Sequence, residues 1–246
     1  MFLQILIKFY RWWKNQKKRF WDSWTRWPPI GALDLGDLRR LTPISTDFGW
    51  YRGNPVDRYY IEKFLQQYCL DIQGRVLEVG DARYTYRFGG NRVTQSDVLH
   101  VNLKTPGVTI IADLAQADHI PSDTFDCFIM TQTLQLIYEV RAASATIYRI
   151  LKPGGVLLAT FPGICQIAHA PPGERWEDCW RFTASAAQRI FGETFPPANV
   201  TVYSYGNVLA ATAFLYGLTT EELAPEELDY LDPDYEVSVA VRAVKP

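Results

Sequence analysis

Apolar and polar positions alternate with two different periods along most of the chain. Tyr60, Phe64 and Tyr68 recur at helical spacing. They predict a helix from 58 to about 68, with Asp57 as its N-cap. Ahead of it, Gly and Pro interrupt residues 30–56 so often that irregular structure is expected there.

Seven short apolar or alternating runs after residue 74 predict β-strands, and amphipathic stretches between them predict helices. The predicted strands are 75–79, 92–98, 109–112, 125–131, 156–161, 199–205 and 236–244. The predicted helices are 83–88, 140–151, 183–191 and 207–216. Because strands alternate with helices, we expect an α/β fold with a mostly parallel sheet covered on both faces.

The first 29 residues differ in composition from everything that follows. Five of the eight tryptophans lie there, and residues 1–27 contain seven Lys/Arg against one acid, Asp22, a net charge of +6. The rest of the chain therefore carries −8 of the formal total of −2. This pattern fits an interfacial helix on anionic lipid, and equally an extra helix that packs on the domain or on a partner.

Composition narrows the class of protein further. With 48% hydrophobic and 21% charged residues, the chain is typical of globular proteins. The four cysteines form no Cys-x-x-Cys pair, so no metal site is expected, and their use fits a reducing cytoplasm. No apolar run approaches the roughly 18–20 residues that span a bilayer, and the acidic body disfavours nucleic acid as a partner.

Polar residues follow the predicted strands where ligands of an open α/β sheet bind. Glu78, Gly80 and Asp81 follow the first strand, where a glycine turn and a helix N-terminus can receive a carboxylate. Asp97 and Val98 end the second strand, and an acid there can hold ribose hydroxyls. Each feature alone is equally consistent with an ordinary turn, a surface acid or a helix cap.

The next two strand ends extend this pattern. Asp113 can receive the exocyclic amine of an adenine while Leu114 covers the ring, and Thr131 and Gln132 can form the floor of a pocket. Helix capping is the alternative explanation for these polar residues.

Together these positions resemble class I S-adenosylmethionine-dependent methyltransferases of the bacterial, small-molecule and glycan-associated branch. The resemblance covers about residues 74–162 and includes Gly-Arg-Val-Leu-Glu-Val-Gly at 74–80 and Leu-Lys-Pro-Gly-Gly at 151–155. It implies a Rossmann-like, seven-stranded sheet ending in an antiparallel strand pair, with an N-terminal helical extension. It also implies three parts: a basic aromatic segment 1–29, a lead-in segment 30–73 and a methyltransferase domain 74–246.

The resemblance assigns S-adenosylmethionine as cofactor. Glu78 and Gly80 would frame its methionine end, Asp97 its ribose, and Asp113 with Leu114 its adenine. The sequence departs from the family in its glycine loop, where Ala82 and Arg83 follow, and at Leu136, where many relatives have a histidine.

Candidate bases for an acceptor hydroxyl are His169, Glu174 and Asp178, in a long loop after the fifth strand. A solvent-exposed His169 is the plainer explanation. Aromatic and basic residues that suit an acceptor ring or anion are Trp176, Trp180, Arg181, Arg52 and Tyr59, which can equally serve packing.

Three functions compete for this sequence. The first is a cytoplasmic methyltransferase for a small-molecule or glycan acceptor, held at the inner face of a membrane through residues 1–29. The second is an inactive methyltransferase-like scaffold that docks a glycosyltransferase or membrane. The third, a nicotinamide-dependent oxidoreductase, is disfavoured because the three-glycine fingerprint is absent.

Overall fold

The computed structural model describes residues 28–29, 31–102, 106–170 and 176–246. The predictions for residues 1–27 and for Glu174 lie outside these residues. The chain divides into two compact units, residues 1–42 and 43–246. In the first, a single 3-10 turn spans Gly36–Leu38 of the described residues.

The second unit is built on a seven-stranded sheet in the order β3-β2-β1-β4-β5-β7-β6. The neighbours from β3 to β5 pair in parallel, whereas β7 runs antiparallel to both β5 and β6. The strands are β1 Gly74–Val79, β2 Val93–His100, β3 Ile110–Ile111, β4 Phe125–Thr131, β5 Leu151–Pro162, β6 Val200–Tyr205 and β7 Ser238–Val244. The predicted mostly parallel, Rossmann-like sheet with an antiparallel C-terminal strand is confirmed.

Helices cover both faces of this sheet. They are α1 Val56–Gln67, α2 Val140–Ile150, α3 Ala184–Gly192, α4 Val208–Leu215 and α5 Pro225–Asp229. Successive strand residues point to opposite faces, so Val76 packs with Phe64 of α1 on one side, while Leu77 belongs with Ile147 of α2 to the core on the other. Residues 43–73 thus lie in the same compact unit as the sheet.

Two helix starts show how local side chains set the boundaries. Thr183 caps α3 by accepting a hydrogen bond from Ala186 N, and Asn207 caps α4 in the same way through Ala210 N. Asp57 is not a cap. Pro55 takes that position, because its fixed φ suits a helix start, and Asp57 falls inside the first turn of α1.

Two other boundaries differ from the sequence prediction. Strand β2 continues to His100, because Leu99 and His100 pair with β3. The helix predicted at 83–88 is a π-helical turn, Thr85–Gly89. Among the described residues, no helix is both long and apolar enough to cross a membrane.

Candidate functional site

A cleft of about 790 Å³ opens at the carboxyl edge of the sheet. It lies over the ends of β1 and β4, where the strand order changes direction, which is the expected ligand position in an open α/β sheet. Residues of the second unit line it: Trp50, Arg58, Glu78–Asp81, Arg83, Tyr84, Leu99–Val101, Ala112–Gln116, Thr131–Thr133, Leu136–Glu139 and Trp176.

Glu78 organises the turn after β1. Its Oε1 accepts a hydrogen bond from Tyr84 N at 3.2 Å, and its Oε2 accepts two from the amide and hydroxyl of Thr85, both at 2.7 Å. Burial raises the pKa of Glu78 to about 7, against the opposing effect of these hydrogen bonds. Glu78 therefore fixes the wall of the cleft and places a buried carboxyl there.

Gly80 lets the chain turn tightly at the same point. Its φ is +91°, a backbone conformation that residues other than glycine rarely adopt. A Cβ at this position would meet no atom within 4 Å, so the backbone conformation and not the available space favours glycine. Its amide bonds to Leu99 O at 3.0 Å. Asp81, which follows, accepts a hydrogen bond from Arg83 N at 2.8 Å and lines the cleft.

Asp97 and Val98, which the sequence assigns to the cofactor, lie away from the cleft. Both lie inside β2 and are buried, and neither lines the cleft. Asp97 instead binds Arg75 Nε at 2.7 Å and Thr109 Oγ1 at 3.0 Å. The reason is the two-residue extension of β2, which puts His100 and Val101 at the strand end over the cleft.

Asp113 and Leu114 lie in the cleft beyond β3. Asp113 Oδ1 accepts a hydrogen bond from Ala115 N at 2.9 Å, which caps the short turn that follows. Leu114 is buried and presents an apolar surface to the cleft. Both are where an adenine-binding pair is expected.

Thr131 and Gln132 form part of the floor after β4. Gln132 has φ +47°, which is unusual for a residue other than glycine. Such backbone strain concentrates at ligand sites, because the surrounding structure must hold it in place.

A smaller cavity of about 200 Å³ adjoins the cleft. The two share lining residues, which are Trp50, Arg58, Gln132, Leu136 and Trp176. The remaining walls come from Phe48, Asp57, Gln135, Pro162, Cys165, Gln166, Ala168, Asp178, Phe214 and Val237.

The predicted acceptor residues separate into two groups. Trp176 lines both cavities, and Asp178 lines the smaller one, where its carboxylate pairs with Arg181. Trp180 and Arg181 line neither cavity; Trp180 stacks on Tyr138, with ring centres 5.5 Å apart.

Three further candidates also lie outside both cavities. Arg52 pairs with Glu222, and Tyr59 donates a hydrogen bond to Asp229 at 2.6 Å. His169 is exposed and lines neither cavity. The carboxylate partners of Arg52 and Tyr59 are far away in sequence. Local sequence around Arg52 and Tyr59 therefore does not reveal these pairs.

Sequence reasoning missed Trp50, which lines both cavities together with Arg58. The Arg58 guanidinium lies 5.3 Å from the centre of the Trp50 ring, and its Nη1 donates to Tyr84 Oη at 3.2 Å. The one available signal was the placement of these residues ahead of the first strand, next to Arg52 and Tyr59.

Comparisons with known proteins agree with this geometry. Residues 54–159 match the family model described as "Methyltransferase domain". A methyltransferase from Archaeoglobus fulgidus, described as S-adenosylmethionine-dependent, has a TM-score of 0.51 at 10% identity and covers 76% of this chain and 94% of its own. One from Mesorhizobium loti, described in the same way, has a TM-score of 0.48 at 16% identity, covering 77% and 98%. None of the curated proteins matches the chain.

At 10% identity the Archaeoglobus fulgidus structure supports the fold alone, and the family match supports the activity. The matched stretch contains the turn after β1, Asp113 and the floor after β4. Those residues fit the cofactor, since they offer a buried carboxyl, a glycine turn and an apolar wall. Residues 54–159 therefore match a methyltransferase domain, and the chain is an S-adenosylmethionine-dependent methyltransferase.

Proposed function

We propose that the protein methylates a small-molecule or glycan-type acceptor whose reacting group enters the smaller cavity. The observation that carries this proposal is the shared wall of the two cavities. S-adenosylmethionine supplies an electrophilic methyl group, so the chain must mainly align an acceptor with it and exclude water.

The size and lining of the smaller cavity favour one end of a compact acceptor over a protein or nucleic-acid surface. About 200 Å³ between aromatic and polar side chains suits a single ring or a short substituent. Aromatic faces such as those of Trp50 and Trp176 suit the apolar faces of sugar rings.

Residues 1–29 supply a second proposal, since their charge and tryptophan content fit anionic lipid. We infer a cytoplasmic enzyme that binds the inner face of a membrane, or a glycosyltransferase there, through this segment. An acceptor carried on a lipid would then be concentrated near the cavity.

The test begins with calorimetric titration of the full chain with S-adenosylmethionine and S-adenosylhomocysteine. A radioactive-methyl assay then compares nucleotide-activated sugars and lipid-linked glycans with protein and nucleic-acid acceptors. Transfer to the first group supports the proposal, and transfer only to macromolecules contradicts it. Failure to bind either nucleoside would favour the inactive scaffold.

A further inference from the structure

Three buried polar atoms without hydrogen-bond partners among the described residues belong to side chains of residues that line the smaller cavity. They are Asp57 Oδ1, Arg58 Nε and Gln135 Oε1. Leaving such an atom unsatisfied is energetically costly. Their collection around one cavity indicates a ligand group that both donates and accepts hydrogen bonds.

Asp57 is held over the cavity by the first turn of α1. The residue is only 8% exposed, although it is ionisable. The nearest cation, Arg58, has its Nε 3.8 Å from Asp57 Oδ1, beyond hydrogen-bond distance. The pair compensates charge and leaves the hydrogen-bonding capacity of both atoms available.

Gln135 has a defined orientation at the same cavity. Its side-chain Nε2 donates to Gln132 O at 2.8 Å. Its backbone oxygen accepts from Cys179 N at 2.8 Å, which ties it to the loop carrying Asp178. Because the amide nitrogen is occupied, the unpartnered Oε1 is an acceptor and calls for a donor on the ligand.

The described charges around the cavity balance. Asp57 faces Arg58, and Asp178 is paired with Arg181 at 2.6 Å. An acceptor that brought its own anion or cation would leave one charge buried without a counterion, which is costly. A neutral hydroxyl group avoids this cost, because it can donate to a carboxylate and accept from a guanidinium.

We propose that the smaller cavity binds the hydroxyl group of an uncharged acceptor and that Asp57 is its general base. The inference rests on the proposed function and narrows its acceptor class. In the reaction, the acceptor oxygen forms a bond to the methyl carbon as the sulfur–carbon bond breaks. The bond electrons pass to sulfur, and the hydroxyl proton passes to Asp57 Oδ1, which becomes a neutral carboxylic acid and later releases the proton to water.

The environment of Asp57 suits this role. Burial raises the pKa of the Asp57 carboxyl above its usual value, and the Arg58 cation opposes that rise. A carboxylate of higher pKa is a better base toward a hydroxyl whose acidity increases during transfer. Cys165 and Asp178 are the other titratable residues that line this cavity among the described residues.

The inference is tested with three probes of one ring and one polar group: phenol, benzoate and benzylamine. Each is titrated against the full chain saturated with S-adenosylhomocysteine, followed by calorimetry and ligand-observed NMR. We expect phenol to bind about tenfold more tightly than the two charged probes. Preference for benzoate or benzylamine would overturn the uncharged class, and so would absence of phenol binding.

Asp57→Asn gives a signature that a purely structural residue would not. Phenol should bind about tenfold more weakly, whereas benzoate should bind more tightly, because Arg58 loses its counterion. Asp71→Asn, the same change at the partner of Arg242, should alter neither. Unchanged phenol affinity in Asp57→Asn would remove Asp57 from the cavity's function.

Two further measurements keep the outcomes separable. Gln135→Leu removes the second acceptor and should also weaken phenol, so the cavity assignment does not depend on the folding of one variant. Affinity for S-adenosylhomocysteine is measured in the same samples. Its absence from the wild-type protein would overturn the proposed function, whereas its retention without phenol preference would overturn this inference alone.

Discussion

Oε2 of Glu78 accepts hydrogen bonds from both the amide and the hydroxyl of Thr85, each at 2.7 Å. These contacts join the end of β1 to the π-helical turn at Thr85–Gly89. One buried carboxyl thus shapes the wall of the cleft, and its protonation affects the stability of the whole fold.

Glu78→Gln should remove a pH dependence of stability. The pKa of Glu78 rises from 4.5 to about 7 on folding, so between these values the folded protein binds the extra proton. Stability is then greatest at the acid end of the window and falls by about 1.4 kcal/mol per pH unit as pH rises, about 3 kcal/mol in all. Urea unfolding of both proteins from about pH 4.5 to 8 measures this. If the difference in the free energy of unfolding between the wild type and the variant does not change with pH, Glu78 is ionised throughout this range.

Asp97→Ala should weaken the fold and leave cofactor affinity intact. It removes the partner of Arg75 and Thr109 inside β2, away from the cleft. We expect the free energy of unfolding to fall by about 1–3 kcal/mol. Denaturant unfolding measures this loss, and calorimetry of the folded variant should give an S-adenosylmethionine affinity like that of the wild type. A large loss of affinity would return Asp97 to the cofactor site.

Asp113→Ala should have the opposite profile. Its carboxylate is exposed in the cleft, so its removal costs little stability beyond the turn that it caps. We expect S-adenosylmethionine to bind about 1–3 kcal/mol less tightly, measured by calorimetry. Asp118→Ala, an exposed change outside the cleft, is the control and should bind as the wild type does. Equal affinities in the two variants would contradict the adenine assignment.

Deletion of residues 1–29 should abolish binding to anionic vesicles. The segment's net charge of +6 in residues 1–27 attracts such a surface, and salt should weaken the attraction. Co-sedimentation with vesicles containing phosphatidylserine, at low and high salt, measures this. Neutral vesicles are the control. If the full chain ignores anionic vesicles at low salt, the membrane proposal fails.

The centre of the sheet was predictable because β4 and β5 are mostly buried and therefore read as apolar runs. Strand β4, Phe125–Thr131, was predicted to the residue. The end of β2 was not, because Leu99 and His100 extend the strand only through pairing with β3, a contact that local sequence does not contain. That one boundary decided whether Asp97 lay in the cleft.

The site was predictable only where it follows a strand end. Glu78, Gly80, Asp113, Leu114, Thr131 and Gln132 all line the cleft. Trp50, Arg58 and Gln135 line the smaller cavity through tertiary packing of α1 and the loops around it, and no period or motif marks them. In sequence, Asp57 resembled a helix cap. In the structure Pro55 is the N-cap, so the Asp57 side chain lies in the first turn of α1 and does not cap the helix.

The place of β7 in the sheet has a consequence for how the chain is assembled during synthesis. It follows β6 in sequence but lies between β5 and β6, and β6 pairs with no other strand of the described sheet. While the ribosome is still making β7, the parallel half of the sheet can already form, but β6 has no edge to join. The nascent chain therefore keeps an unpaired strand edge at β5 until Ser238–Val244 can pair with it. An unpaired edge of this kind favours aggregation and chaperone binding during that interval.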